Sequence, residues 1–171
     1  LIRTFFKRIE RPERASYFII LHGPGWASEA LADQIQMELP LPVVIPVDGE
    51  KVAQGTVYVA PGEKHMVVDP EGPVIRLQAT PPENFLRPSA DPLFRSLAAA
   101  YGTHAIGVVL GGSGCDGSVG CGHIKIGEGA VIVQDPASAV SPQMPQNVIT
   151  LGLAQTIMHA DKIPADISRR I

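Results

Sequence analysis

Two residues in this chain combine a suitable type with a suitable setting for acid–base chemistry, His22 and Asp116. His22 directly follows residues 17–21 (YFIIL), a short unbroken β-rich run that reads as a central strand of a parallel sheet. Asp116 lies in the stretch AIGVVLGGSGCDGSVGCG at 105–122. There, small and β-branched residues 105–110 suit a strand buried on both faces. The run then breaks into a loop in which six of the twelve residues 111–122 are glycine. In open α/β sheets, ligands and chemistry gather outside the carboxyl ends of the strands, where both residues are expected. A histidine oriented by an aspartate makes two thirds of a nucleophile–base–acid system. The carboxylate fixes the imidazole tautomer and stabilises the imidazolium, while the imidazole deprotonates a nucleophile. Backbone N–H groups of a glycine-rich loop could supply an oxyanion hole.

Plainer roles compete with these. A histidine beside a strand is more often structural, and Asp116 could cap the helix that follows it. Ser113 and Cys115 flank Asp116 and are conceivable nucleophiles, though neither sits on a recognisable strand-to-helix elbow. Other chemistries lack their residues. There is no GxxxxGK[ST] phosphate loop and no acidic residue placed for a dinucleotide fingerprint. The only cysteines, Cys115 and Cys121, lack zinc spacing and read as free thiols, so no metal and no organic cofactor is implied.

The elements that would position these residues follow from local pattern. Residues 1–9 (LIRTFFKRI) place Leu1, Ile2, Phe5, Phe6 and Ile9 on one helical stripe without a start signal, and Arg11 and Pro12 end it. Ser28 is placed to cap a helix over 28–39, with Ala27, Leu31, Ile35 and Leu39 buried. Residues 43–47 (VVIPV) read as a strand that Pro46 confines to an edge or an end. TVYVA, KHMVVD and VIRLQ, divided by Pro61-Gly62 and Pro70-Glu71-Gly72, read as antiparallel hairpins, with His65 structural. Ser89 is placed to cap a helix running to Tyr101, and Arg87 ahead of it is either a surface charge or a carboxylate clamp. A glycine-rich helix over 118–126, a strand over 130–134, a short helix near Pro145, an edge strand over 155–159 and a helix from about Pro164 complete the chain. Strands alternating with helices predict an α/β fold: a three-layer α/β/α, doubly wound, mainly parallel sheet with an antiparallel β-hairpin appendage.

The length of 171 residues suits one domain with a sizeable core. A net charge of −3 argues against non-specific nucleic-acid binding, and no apolar run is long enough to span a bilayer. With no signal-peptide pattern, a cytoplasmic location is expected.

Taken in order, the motifs resemble the catalytic domain of the chemotaxis protein-glutamate methylesterases, the CheB family. His22-Gly23-Pro24 looks like that family's QHMP, with Leu21 and Gly23 departing from it. GTVYVAPGEKHM (55–66) and RPSADPLFRS (87–96) are close to its pattern, and GVVLGGSGCDGSVG (107–120) corresponds to its GVxLTGMGxDGAxG. QDPASAVSPQMP (134–145) resembles the segment that ends in GMP. The resemblance covers essentially the whole chain. It implies a domain over 1–171 that hydrolyses glutamate methyl esters, and deamidates certain glutamines, on methyl-accepting chemotaxis receptors. It carries over His22 as general base and Asp116 as orienting acid. The family's serine nucleophile stands in a GxSxGG loop that this sequence does not contain, so the serine is expected upstream of Leu1. A receiver domain upstream is a further expectation from the resemblance. Gly111 and Ser113 stand where the family has Thr and Met, and Gln143 where it has Gly. Two other readings compete with this one: a non-catalytic relative that binds a receptor or signalling partner, and an esterase or amidase for another acyl group.

Overall fold

The apolar runs do become sheet, but two half-sheets of three strands each account for most of it. In the computed structural model, which describes residues 5–171, the strands are β1 (Tyr17–Ile19), β2 (Val43–Val44), β3 (Val57–Val59), β4 (His65–Asp69), β5 (Val74–Gln78), β6 (Ile106–Val109), β7 (Ala130–Gln134) and β8 (Thr156–Met158). One parallel set has the order β1-β3-β2, another parallel set the order β6-β7-β8, and β4-β5 form an antiparallel hairpin. Helices cover them, among the described residues α1 (Trp26–Gln36), α2 (Ala90–Tyr101), α3 (Ser118–Ile126), α4 (Gln143–Thr150) and α5 (Ile163–Arg170).

Strand pleating sorts the core into layers. Along β7, Ile132 joins Ile35, Val57, Ile163 and Ile167 on the face covered by α1 and α5. Its neighbours Val131 and Val133 join Val109, Cys121, Ile124 and Val148 on the face covered by α3 and α4. A third cluster ties Tyr58 and Ala60 to Met66, Val68 and Ile75 of the hairpin and to Leu93 of α2. The result is the three-layer α/β/α arrangement with its hairpin appendage.

The structure corrects several local expectations. TVYVA is not a hairpin strand: β3 lies between β1 and β2, parallel to both. Its residues 57–59 are all buried, as a strand covered on both faces requires, and the turn at Pro61-Gly62 leads into the hairpin rather than reversing β3 upon it. Ser28 is not the cap of α1. The Ala27 N–H already bonds the Pro24 carbonyl at 2.8 Å, so the helix starts earlier, on Gly25, and Ser28 is buried in its first turn. Leu39 lies beyond α1 yet stays in the core, with the Gln36 amide on its carbonyl. Of the expected helix over 1–9, residues 1–4 lie outside the described residues; Phe5 and Phe6 are helical, and Phe6 and Ile9 are buried.

The strand expected to be central, β1, is an edge here. Among the described residues β1 hydrogen-bonds only to β3, and β6 only to β7. Between them runs a cavity of about 1320 Å³, lined by Phe18 and Ile20 from one side and by Ile106, Val108 and Leu110 from the other.

Candidate active site

His22 and Asp116 come together. The chain leaves β1 through Ile20 and Leu21 to His22, and leaves β6 through the glycine loop to Asp116, and the two side chains meet at 2.7 Å between His22 Nε2 and Asp116 Oδ2. Asp116 is fully buried, so its charge must be met by donors from the protein. Six meet it. Oδ1 accepts from Ser89 Oγ at 2.6 Å, the Gly117 N–H at 2.9 Å, the Asp91 N–H at 3.2 Å and Asn84 Nδ2 at 3.3 Å. Oδ2 accepts from the Ala90 N–H at 2.6 Å and from His22.

The Ala90 and Asp91 N–H groups belong to the first turn of α2, where free donors and the helix dipole favour an anion. Asp116 therefore does cap a helix, but it is α2, reached across the fold, while α3 starts on Gly117 without a side-chain cap. Ser89 holds the cap position of α2 without capping it, because its hydroxyl is spent on Asp116 instead. Burial alone would raise the Asp116 pKa. The hydrogen bonds from His22, Ala90 and Ser89, together with the His22 charge, overcome that and bring it down from 3.8 to about 2. An ionised Asp116 can only accept, so Nε2 of a neutral His22 carries the hydrogen and Nδ1 keeps the lone pair. Nδ1 is thus the nitrogen able to take a proton from a nucleophile.

The next layer of contacts was not legible in the sequence. Asn84 Nδ2 also donates to Asp91 Oδ2 at 2.7 Å, and Asp91 Oδ1 accepts the Gly120 N–H at 2.6 Å. Burial raises the Asp91 pKa, against the pull of the Gly120 and Asn84 hydrogen bonds and with the added push of the Asp116 charge. Gly120 is needed for this approach of α2 and α3, since a Cβ there would stand 2.5 Å from Phe94 Cβ. His65 is structural, as expected: Nδ1 accepts the Ser89 N–H at 3.2 Å and Nε2 lies 3.2 Å from the Pro81 carbonyl. Arg87 donates to the Ala79 and Thr80 carbonyls and pairs with Glu63, so it ties down its own loop. Cys121 is buried, which pushes its thiol up to about 12, whereas Cys115 is exposed beside Asn84.

Three amides of the glycine loop already have partners and are not open oxyanion donors. Gly111 N–H bonds Gln134 Oε1, Gly112 N–H bonds the Ser141 carbonyl, and Gly114 N–H bonds Gln143 Oε1, at 2.8, 2.9 and 3.0 Å. Ser113 Oγ lies 3.0 Å from Ser141 Oγ. Ser113 and Gln143, both departures from the pattern in the sequence, thus each tie the loop to the segment leading into α4. Among the described residues no group of His, Cys, Asp and Glu side chains could hold a metal ion, and no helix is long and apolar enough to cross a membrane.

Comparisons with known proteins bear on the family and the fold. A family model described as CheB methylesterase matches residues 1–167. The chain belongs to the CheB methylesterase family. A protein-glutamate methylesterase/protein-glutamine glutaminase of Trichodesmium erythraeum is 39% identical over 160 residues, covering 92% of this chain and 46% of that protein. One from Rhodospirillum rubrum is 39% identical over 150 residues, covering 86% of this chain and 39% of that protein. The chain therefore spans less than half the length of these CheB relatives. Among solved structures, the crystal structure of the Thermotoga maritima CheB methylesterase catalytic domain superposes with a TM-score of 0.90 at 28% identity. That match covers 99% of this chain and 93% of the other, so the CheB fold accounts for the whole described arrangement.

Proposed function

We propose that this chain is the catalytic portion of a protein-glutamate methylesterase that acts in the cytoplasm on methyl-accepting chemotaxis receptors. His22 is its general base and Asp116 the acid that orients it. The observation that carries this reading is the 2.7 Å contact of His22 with a buried carboxylate that six donors hold ionised. The nucleophile is a serine on a segment preceding Leu1. The seam between β1 and β6 supports that placement: among the described residues each strand pairs on one side only, and an apolar cavity of about 1320 Å³ lies between them. A parallel strand entering there would join the half-sheets, and its carboxyl end would emerge beside His22.

In the reaction, Nδ1 of His22 takes the proton of the serine hydroxyl as its oxygen attacks the ester carbonyl carbon. The imidazolium, stabilised by Asp116, returns that proton to the methoxide as the C–O bond breaks, and methanol leaves. Water then attacks the acyl-serine with His22 again as base, giving glutamic acid and restoring the serine. A glutamine amide follows the same course with ammonia leaving. Oxyanion donors come from the nucleophile segment and not from Gly111, Gly112 or Gly114, whose amides are engaged. The relatives' greater length suits a receiver domain ahead of this portion.

Methanol release from a methylated receptor tests the reading. The protein extended upstream of Leu1 releases methanol, and His22→Ala lowers turnover by roughly 10⁴–10⁶-fold. No release from the extended, folded protein contradicts the enzyme reading and favours a receptor-binding module. Release from another acyl substrate alone favours a different esterase.

A further inference from the structure

Beside the His22–Asp116 pair, a tight turn holds an aromatic ring out into solvent. Glu83 and Leu86 exchange both backbone hydrogen bonds, at 3.1 and 2.9 Å, around Asn84 and Phe85. Both central residues are left-handed, with φ of 52° and 63°. Such a turn favours asparagine at its first central position and glycine at its second, and a bulky residue in the second is an outlier. The other non-glycine residues of positive φ are Arg11, Glu63, Asn84 and Glu128, so Phe85 is the one apolar side chain among them in the described residues.

The surroundings impose this conformation. Arg95 grips both carboxylate oxygens of Glu83, at 3.0 and 2.7 Å. Asn84 is held by Asp91 and Asp116, and its Oδ1 lies 3.7 Å from the exposed Cys115 thiol. Yet Phe85 itself is completely exposed, at 102%. The ring gains nothing from its own fold, and strain of this kind persists where function uses it. Val140, equally exposed, stands beside Ser141, which bonds Gly112 at the other end of the Asp116 loop.

We propose that Phe85 is a docking contact for the protein substrate, its ring packing on an apolar side chain close to the glutamate that His22 and Asp116 serve. The assignment rests on the protein-substrate reading above. It commits to that occupant because Asn84, the residue adjoining Phe85, touches both Asp116 and Cys115. Whatever covers the ring therefore lies against the turn that contacts Asp116.

The test uses the protein extended upstream of Leu1 and a methylated chemoreceptor signalling domain as probe. Affinity is measured by titration calorimetry and turnover by methanol release. Phe85→Gly and Phe85→Asn both accept the left-handed backbone and remove the ring, so neither lowers the melting temperature. Both weaken binding about tenfold, as loss of a buried ring surface requires, and in turnover the loss falls on KM. Val47→Asn, a change at an exposed apolar side chain elsewhere, leaves affinity unchanged. Wild-type affinity in both Phe85 variants overturns the proposal. So does a fall in melting temperature that accounts for the weaker binding. Calorimetry reads docking even where no methanol is released, so failure of the hydrolase reading and failure of the docking contact are distinct results.

Discussion

Around Asp116, two carboxylate oxygens collect six donors within the protein, whereas along the facing edges of β1 and β6 the described residues leave backbone groups without a neighbouring strand. The His22–Asp116 pair lies beyond the carboxyl ends of β1 and β6, and the seam runs along their edges. One is complete from residues 22–117 alone, and the other borders an apolar cavity. The difference separates what a base needs from what a nucleophile needs. A base must have its tautomer fixed and its counter-charge buried, and a few loops converging on a helix N-terminus achieve that. A nucleophile must be delivered on a rigid element, and the proposed reading has that element enter at the seam.

The comparison breaks most readily at Asp116. Replacing it with Ala leaves the Ser89, Ala90 and Asp91 donors buried without their acceptor, and should lower unfolding free energy by about 3–5 kcal/mol in denaturant. A loss under 1 kcal/mol would mean that the six contacts do not hold this loop. The seam is tested by amide hydrogen exchange. Seam-facing amides of β1 and β6 should exchange about 10²-fold faster than those of β3 and β7, and an upstream segment should protect them. Uniform protection across all four strands in the 171-residue chain would show the seam already closed.

Acid sharpens the same contrast. The folded pKa of Asp116 lies below its ordinary value, so its contribution is fully present above about pH 4 and is lost as pH falls through about 2. The gap between 3.8 and about 2 corresponds to roughly 2 kcal/mol. Denaturant midpoints between pH 5 and pH 2 should fall accordingly, and Asp116→Asn should remove that part of the pH dependence. The smallest effect is at Ser89. Ser89→Ala should cost about 0.5–2 kcal/mol, and the cost should vanish when Asp116 is already Ala, because the hydroxyl serves the carboxylate and not the helix. Equal cost in both backgrounds would restore the ordinary capping role.

His22 and Asp116 were legible because each follows a short apolar run, and a strand's carboxyl end is where a parallel sheet presents side chains. The helix over 118–126 and the strand over 130–134 fall where the pattern put them, since each carries its own local signal. Asn84 was not legible: its partners are Asp91, in the following helix, and Asp116, 32 residues away. Ser89 carried a sound capping signal, but a buried carboxylate competes for a hydroxyl better than a backbone N–H does. TVYVA was misread because turn residues mark where a strand ends and not which strand it joins. Only the burial of 57–59 on both faces distinguishes the parallel strand from a hairpin arm.

An organophosphorus probe that reacts with activated serines tests most directly whether the finished pair serves a nucleophile delivered at the seam. Applied to the protein extended upstream of Leu1 and to the 171-residue chain, and followed by peptide mass spectrometry, it should modify one serine upstream of Leu1. That adduct should disappear in His22→Ala, and the 171-residue chain should remain unmodified. An adduct on Ser113, or upstream labelling that survives His22→Ala, would contradict the assignment.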